Sequence, residues 1–177
     1  MTDSQFARTL KEVAYLEGDF TLRSGRKSKY YLDKYLFETQ PDLLRELGRR
    51  FAKYVHDGID RIAGAELGAI ALATVTSLET GKPFVIVRNS KKAGYGTGKL
   101  IEGRLEKGDR VLVVEDICTS GGQAIEAMKI LTDAGATVDR LVVVIDRQEG
   151  GRENVEQAGY AFDSLLTSEA LGIVRRP

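Results

Sequence analysis

Polar positions at the start of the chain are punctuated by Phe6, Leu10, Val13 and Ala14, an apolar stripe at helical spacing that predicts an amphipathic helix over residues 4–17, before Gly18. A second stripe, Leu43, Leu44, Leu47, Phe51, Tyr54 and Val55, predicts a helix over 41–57. Pro41 suits its first turn, and Gly58 can adopt a left-handed stop conformation. Between the two, Phe20–Leu22 and Lys29–Leu36 read as short strands around a Ser24-Gly25 turn. From residue 61 the pattern changes to short, nearly continuous apolar runs, which suit parallel strands buried on both faces. The expected strands are 61–64, 83–88, 110–115, 140–146 and 160–165, with helices over 68–80 and 121–134 between several of them. The second of these helices presents Ile125, Met128 and Leu131 before Gly135. The alternation predicts a doubly wound α/β core with a mainly parallel five-stranded sheet. The chain shows no repeat, low-complexity tract or proline-rich linker. It therefore reads as a single domain over 1–177, with residues 1–60 forming helices and a flap and residues 61–170 forming the core.

Composition narrows the chemistry. The 177 residues are 42% hydrophobic and 29% charged, close to the soluble globular average. No basic, apolar leader opens the sequence and no apolar run is long enough to cross a bilayer, so a cytoplasmic protein without membrane association is expected. Cys118 is the single cysteine and His56 the single histidine, which excludes an intrachain disulfide, most zinc sites and a Ser-His-Asp triad. The formal net charge is zero, yet Arg23–Lys34 and Arg88–Arg104 each carry five cations against one acid. Two basic islands in an otherwise acidic chain suit a compact anionic ligand better than a nucleic-acid surface, the plain alternative being two solvated lysine-rich loops.

The stretch from Val111 to Gln123 carries most of the chemistry. An apolar strand ends in Glu115 and Asp116, then passes through Ile117, Cys118, Thr119, Ser120, Gly121 and Gly122 into a helix. Unpaired N–H groups and the dipole at a helix start attract a phosphate, glycines let the backbone approach it, and the Thr119 and Ser120 hydroxyls can add donors. The acids, expected just beyond the carboxyl end of the strand, invite a polyol or a metal. A helix start capped by its own Asp and Thr would account for the hydroxyls but not for two adjacent acids. Other nucleotide motifs fail. Leu100 follows Gly98-Lys99 where a P-loop needs Ser or Thr, and no G-x-G-x-x-G follows a strand.

Glu115-Asp116 followed by Thr119-Ser120-Gly121-Gly122 resembles the phosphoribosyl pyrophosphate signature of type I phosphoribosyltransferases. The neighbouring segments Phe20–Gly25, Tyr30–Asp33, Tyr95–Gly103 and Asp146–Gly151 narrow the resemblance to the orotate phosphoribosyltransferases. Asp33–Thr39 and Asp146–Gly151 look most like the short archaeal members. The resemblance implies a type I fold with an N-terminal hood, and transfer of the phosphoribosyl group to orotate, giving orotidine 5′-monophosphate and pyrophosphate in pyrimidine biosynthesis. It implies Mg2+ held mainly by substrate, with no protein metal ligands, and a homodimer that exchanges a loop between sites.

By the same resemblance Lys92, Glu115 and Asp116 are catalytic. The donor is bound by Arg88, Asn89, Lys91, Lys92, Tyr95, Glu115, Asp116, Ile117, Cys118, Thr119, Ser120, Gly121, Gly122 and Gln123. Orotate meets Arg23, Tyr31, Thr119 and Arg147. A guanidinium at 147 suits two-point binding of a carboxylate or carbonyl. Three positions depart from the family pattern: Asn89 stands where a lysine is usual, Tyr95 where many members have histidine, and Leu67 where bacterial members commonly carry lysine. Cys118 reads as a small turn residue, and His56 as a structural group near the end of the second helix. A phosphoribosyltransferase for another base and a noncatalytic sensor of the donor are the alternatives.

Overall fold

The computed structural model describes residues 1–21, 25, 27–89 and 99–173. The first apolar stripe forms α1 (Asp3–Ala14), started by a capping box between Thr2 and Gln5, with Phe6, Leu10 and Ala14 buried. It stops three residues earlier than its spacing predicts, because Tyr15 already pairs with Leu32 in an antiparallel hairpin of β1 (Tyr15–Thr21) and β2 (Lys27–Leu32). The expected strand over 29–36 is half right. At Asp33 the backbone N–H donates to Ala14 O at 2.8 Å and the side chain accepts from Tyr35 N at 3.0 Å, so the chain turns into a short helix, α2 (Lys34–Glu38). The second stripe forms α3 (Pro41–Ala52), which ends well before Gly58.

The core alternates β3 (Arg61–Ala65), α4 (Ala69–Thr80), β4 (Phe84–Val87), β5 (Ile101–Glu102), β6 (Arg110–Cys118), α5 (Gly122–Asp133), β7 (Thr137–Asp146), α6 (Gly151–Gln157) and β8 (Phe162–Thr167). The sheet has six strands in the order β5-β4-β3-β6-β7-β8. Five are parallel as expected; the sixth, β5, adds an antiparallel edge beside β4 and is too short and polar to read from sequence. Leu112, Val114, Val142 and Val144 pack on one face with Phe6, Leu10, Leu47, Phe51 and Leu72 of α1, α3 and α4. Val111, Val113, Leu141 and Val143 pack on the other face with Ala127, Met128 and Leu131 of α5 and Val155 of α6. The sheet is thus wound on both faces.

Strand order locates the crevice. From β3 the chain crosses to β4 on one side, whereas from β6 it crosses to β7 on the other, so the winding reverses between the neighbours β3 and β6. Ligands of open α/β sheets bind outside the carboxyl ends of the strands at such a reversal.

Candidate active site

The crevice above the reversal is lined by Lys34, Ala65, Glu66, Gly68, Asn89 and the continuous run Glu115–Ala124. Ten donor-binding candidates, Asn89 and the run Glu115–Gln123, therefore share one pocket. The acids lie within β6, which continues to Cys118, and not beyond it as expected. Pairing with β3 stops at Val114 while pairing with β7 runs on through Cys118, and this divergence opens the crevice at the acids.

Gly121 takes a left-handed φ of 78° and no side chain caps α5, so the capped-helix alternative fails at this helix start. A Cβ on Gly121 would press on Val155 and on Gly151 O at 3.1 Å, which is why α6 can pack so close to the turn. From α6, Asn154 Nδ2 donates to Ser120 O at 2.9 Å and braces the loop from behind. Thr119 and Ser120 remain exposed at the pocket.

Asp116 is buried, with Oδ1 accepting from Ile117 N at 2.5 Å and Oδ2 accepting from Lys34 Nζ at 2.6 Å. Glu115 Oε1 accepts from Asp116 N at 2.9 Å. Desolvation, and then the adjacent Asp116 carboxylate, push Glu115 well above the ordinary carboxylate range. Beside them Glu38 is 4% exposed, and its Oε1 has no hydrogen-bond partner among the described residues. Burial, with Asp116 adding to it, raises Glu38 to about 8. Gly68 faces this group so closely that a Cβ there would collide with Asp116 Oδ2. Sequence reasoning missed Lys34, Glu38 and Glu66. The Asp33–Thr39 segment resembles the archaeal members, but a strand over 29–36 gives Lys34 no direction toward Asp116 and leaves Glu38 outside any expected element.

Asn89 explains itself by contact. Its backbone N–H donates to Glu66 Oε1 and its Nδ2 to Glu66 O, both at 2.9 Å, so a residue expected as a ligand group also ties the end of β4 to the loop after β3. Arg88 does not line the pocket; its Nη1 lies 3.3 Å from Glu102 Oε1 across the β4–β5 pair. Leu67 is 67% exposed. Arg23, Lys91, Lys92 and Tyr95, with Gly94, Gly96 and Gly98, lie outside the described residues.

A second group sits alongside. Arg147 N donates to Cys118 O at 3.0 Å, which sets Arg147 next to the start of the 119–122 turn. Its Nη2 meets Tyr30 Oη at 2.9 Å and Glu149 Oε1 at 3.0 Å, and its buried Nε has no hydrogen-bond partner among the described residues. Tyr30, stacked on Tyr15, is thus the hairpin tyrosine that reaches the core; Tyr31 lies next to Phe20 and is 42% exposed. Alternation along β2 separates the two rings.

Cys118 is 3% exposed and belongs to the strand end, not to a turn; burial, reinforced by Asp146 and Glu115, pushes its thiol up to about 12. His56 lies past α3, where Nδ1 accepts from Gly58 N and Nε2 faces Asp139 at 3.3 Å, so it bridges to β7 instead of meeting helix carbonyls. No group of three or more potential metal ligands occurs among the described residues, and no described helix is long and apolar enough to cross a membrane.

The profile of the phosphoribosyl transferase domain family matches residues 37–161. The orotate phosphoribosyltransferase of Methanocella arvoryzae is 51% identical over 172 residues, covering 96% of this chain and 98% of its own. That of Natronomonas pharaonis is 49% identical over 172 residues, covering 97% and 98%. The crystal structure of Mycobacterium tuberculosis orotate phosphoribosyltransferase in complex with 5-phospho-alpha-D-ribosyl 1-diphosphate superposes with a TM-score of 0.81 at 31% identity, covering 96% of this chain and 98% of that one. Motif, crevice and relatives agree, and the chain belongs to the phosphoribosyltransferases, in their orotate phosphoribosyltransferase branch.

Proposed function

We infer that the protein transfers the 5-phosphoribosyl group from phosphoribosyl pyrophosphate to orotate, giving orotidine 5′-monophosphate and pyrophosphate in pyrimidine biosynthesis. The observation that carries this reading is the meeting, at one topological reversal, of an uncapped helix start with two carboxylates and, one strand away, a buried arginine held by the hairpin.

Each part takes a share of the work. Thr119–Gln123 receive the 5′-phosphate on backbone N–H groups and hydroxyls. Glu115 and Asp116 accept from the ribose hydroxyls and steady positive charge on the ring as the C1′–pyrophosphate bond breaks and the bond to N1 of orotate forms, the N1 proton being lost. Arg147 pairs with orotate beneath Tyr30, with Arg23 of the hood nearby. By the family resemblance Lys91, Lys92, Arg88 and Tyr95 would serve the departing pyrophosphate, at the partner's site in a homodimer. Magnesium enters with the donor. The residues present suit that arrangement, because both oxygens of Asp116 already accept hydrogen bonds, from Ile117 N and from the Lys34 ammonium, so the protein offers the ion no ready ligand set of its own among the described residues. Such an ion would supply charge neutralisation for the departing pyrophosphate, held by the substrate's own oxygens. We place the enzyme in the cytoplasm.

Mixing protein, magnesium, donor and orotate, and following orotate absorbance and pyrophosphate release, tests the reading. Selective consumption of orotate over adenine, hypoxanthine and uracil is expected. Preference for another base would overturn the acceptor, and donor binding without turnover would make the protein a sensor.

A further inference from the structure

Around the ribose-facing acids the structure gathers three carboxylates and one cation. Glu115 and Asp116 come from β6, Glu38 from α2, and Lys34, one helical turn before Glu38, supplies the ammonium. Lys34 Nζ is 2.6 Å from Asp116 Oδ2, partly buried, and itself lines the pocket. The absence of a side chain at Gly68 makes this approach possible, since a Cβ there would lie 2.6 Å from Lys34 Nζ and would overlap Asp116. Behind the pair, Glu38 Oε1, buried and without a hydrogen-bond partner among the described residues, shows that the site is not built to hold three ionised acids.

We propose that Lys34 is a positioning residue for the phosphoribosyl donor, holding Asp116 as an oriented, charged acceptor for the ribose hydroxyls and adding its own charge to the phosphate pocket. The proposal rests on the preceding reading of Asp116. Asp116 is fixed at both oxygens, by Ile117 N and by Lys34, and keeps lone pairs on each for the incoming hydroxyls. Lys34 also opposes the burial and the Asp116 charge that push Glu115 up, so without the ammonium Glu115 is driven further toward its protonated form, and a protonated acceptor serves the diol poorly. Burial opposes the charge on Lys34, but Asp116, with Glu115 and Tyr35, outweighs it and holds Lys34 above the ordinary lysine value. The groups facing the pair are Tyr35 and Glu38 on the helix side and Glu115 on the strand side, with Asp33 acting on Glu38.

Lys34→Gln keeps length and a donor while removing charge. It should raise the donor KM about tenfold, the scale of one lost charged hydrogen bond, with kcat within about twofold and orotate KM unchanged. It should also move the acid limb of kcat/KM for the donor to higher pH, and Lys34→Arg should recover most of the loss. Unaltered donor KM and acid limb, or an arginine variant as impaired as the glutamine one, would overturn the proposal. A measurement on the wild-type fold stands beside these. After reductive 13C-methylation, the Lys34 resonance, identified by its loss in Lys34→Arg, should titrate above the exposed lysines and move when donor is added. A resonance indifferent to donor also overturns it. If wild type consumes orotate while both tests come out flat, only the role of Lys34 fails. If wild type binds donor and turns over no base, the enzymatic reading fails, and the lysine resonance still decides the role of Lys34.

Discussion

Arg147 is held in place by Tyr30 Oη, by Glu149 and by the packing that buries its Nε. Arg147→Ala should therefore weaken orotate use by about 1.5–3 kcal/mol, the worth of a charge-assisted hydrogen bond, while calorimetric donor affinity stays within about twofold. Unchanged orotate kinetics would remove Arg147 from the acceptor site. The residues at 115–123 were legible in the sequence because one contiguous run carries acids, hydroxyls and glycines together. Lys34 was not, since its partner Asp116 lies 82 positions away; Tyr30 stands in a recognisable Tyr30-Tyr31 pair expected near orotate, but its partner Arg147, 117 positions on, is shown only by the folded chain. Tyr31 illustrates the same limit: a doublet of tyrosines in a strand points to both faces, and nothing local says which face meets the core.

At the level of elements, the parallel strands and the helices α3, α4 and α5 were readable from apolar periodicity, because burial on two faces or one leaves a period in the sequence. The strand predicted through Leu36 was not, because the Asp33 side chain caps Tyr35 N and starts α2 in a segment whose apolar positions fit either period. That single capping contact sets the direction of Lys34 and Glu38. The start of α5 depends in turn on α6, whose Asn154 holds Ser120 O. Asn154→Ala should loosen the phosphate turn and weaken donor binding by about 0.5–1.5 kcal/mol, the net value of a neutral hydrogen bond, with melting temperature little changed because the contact is exposed. Equal donor affinity in the variant, read by calorimetry, would show that the turn holds its shape alone.

Across the whole molecule, charges divide between two ends of the sheet. At the amino end of the strands, ion pairs join Arg61 to Asp109, Arg110 to Asp139, and Arg140 to Asp139 and Asp163, while His56 Nε2 lies 3.3 Å from Asp139. Burial works against the Asp139 carboxylate, but hydrogen bonds from His56, Arg140 and Arg110 hold it below its ordinary value, so its contribution is present above that value and lost in acid. At the carboxyl end Glu38 acts in the opposite sense. Its folded value of about 8 exceeds the ordinary 4.5, so between these limits the folded chain keeps a proton that the unfolded chain releases, and stability falls as pH rises through that window. Glu38→Gln should remove this dependence. The melting temperature of the variant relative to wild type should climb from about pH 4.5 to about pH 8 and level off beyond. A gap constant with pH would mean that Glu38 is ionised in the folded protein.

The lone thiol at the β6–β7 seam gives the molecule a built-in reporter. Cys118 is almost fully covered and resists ionisation, and among the 177 residues it has no rival for a thiol reagent. An aromatic disulfide reagent should stay nearly colourless over the native protein and develop one equivalent of absorbance as the seam opens. The rate then counts excursions out of the native state without any engineered label. Saturating donor, bound to the loop that follows Cys118 directly, should slow that colour in proportion to its occupancy.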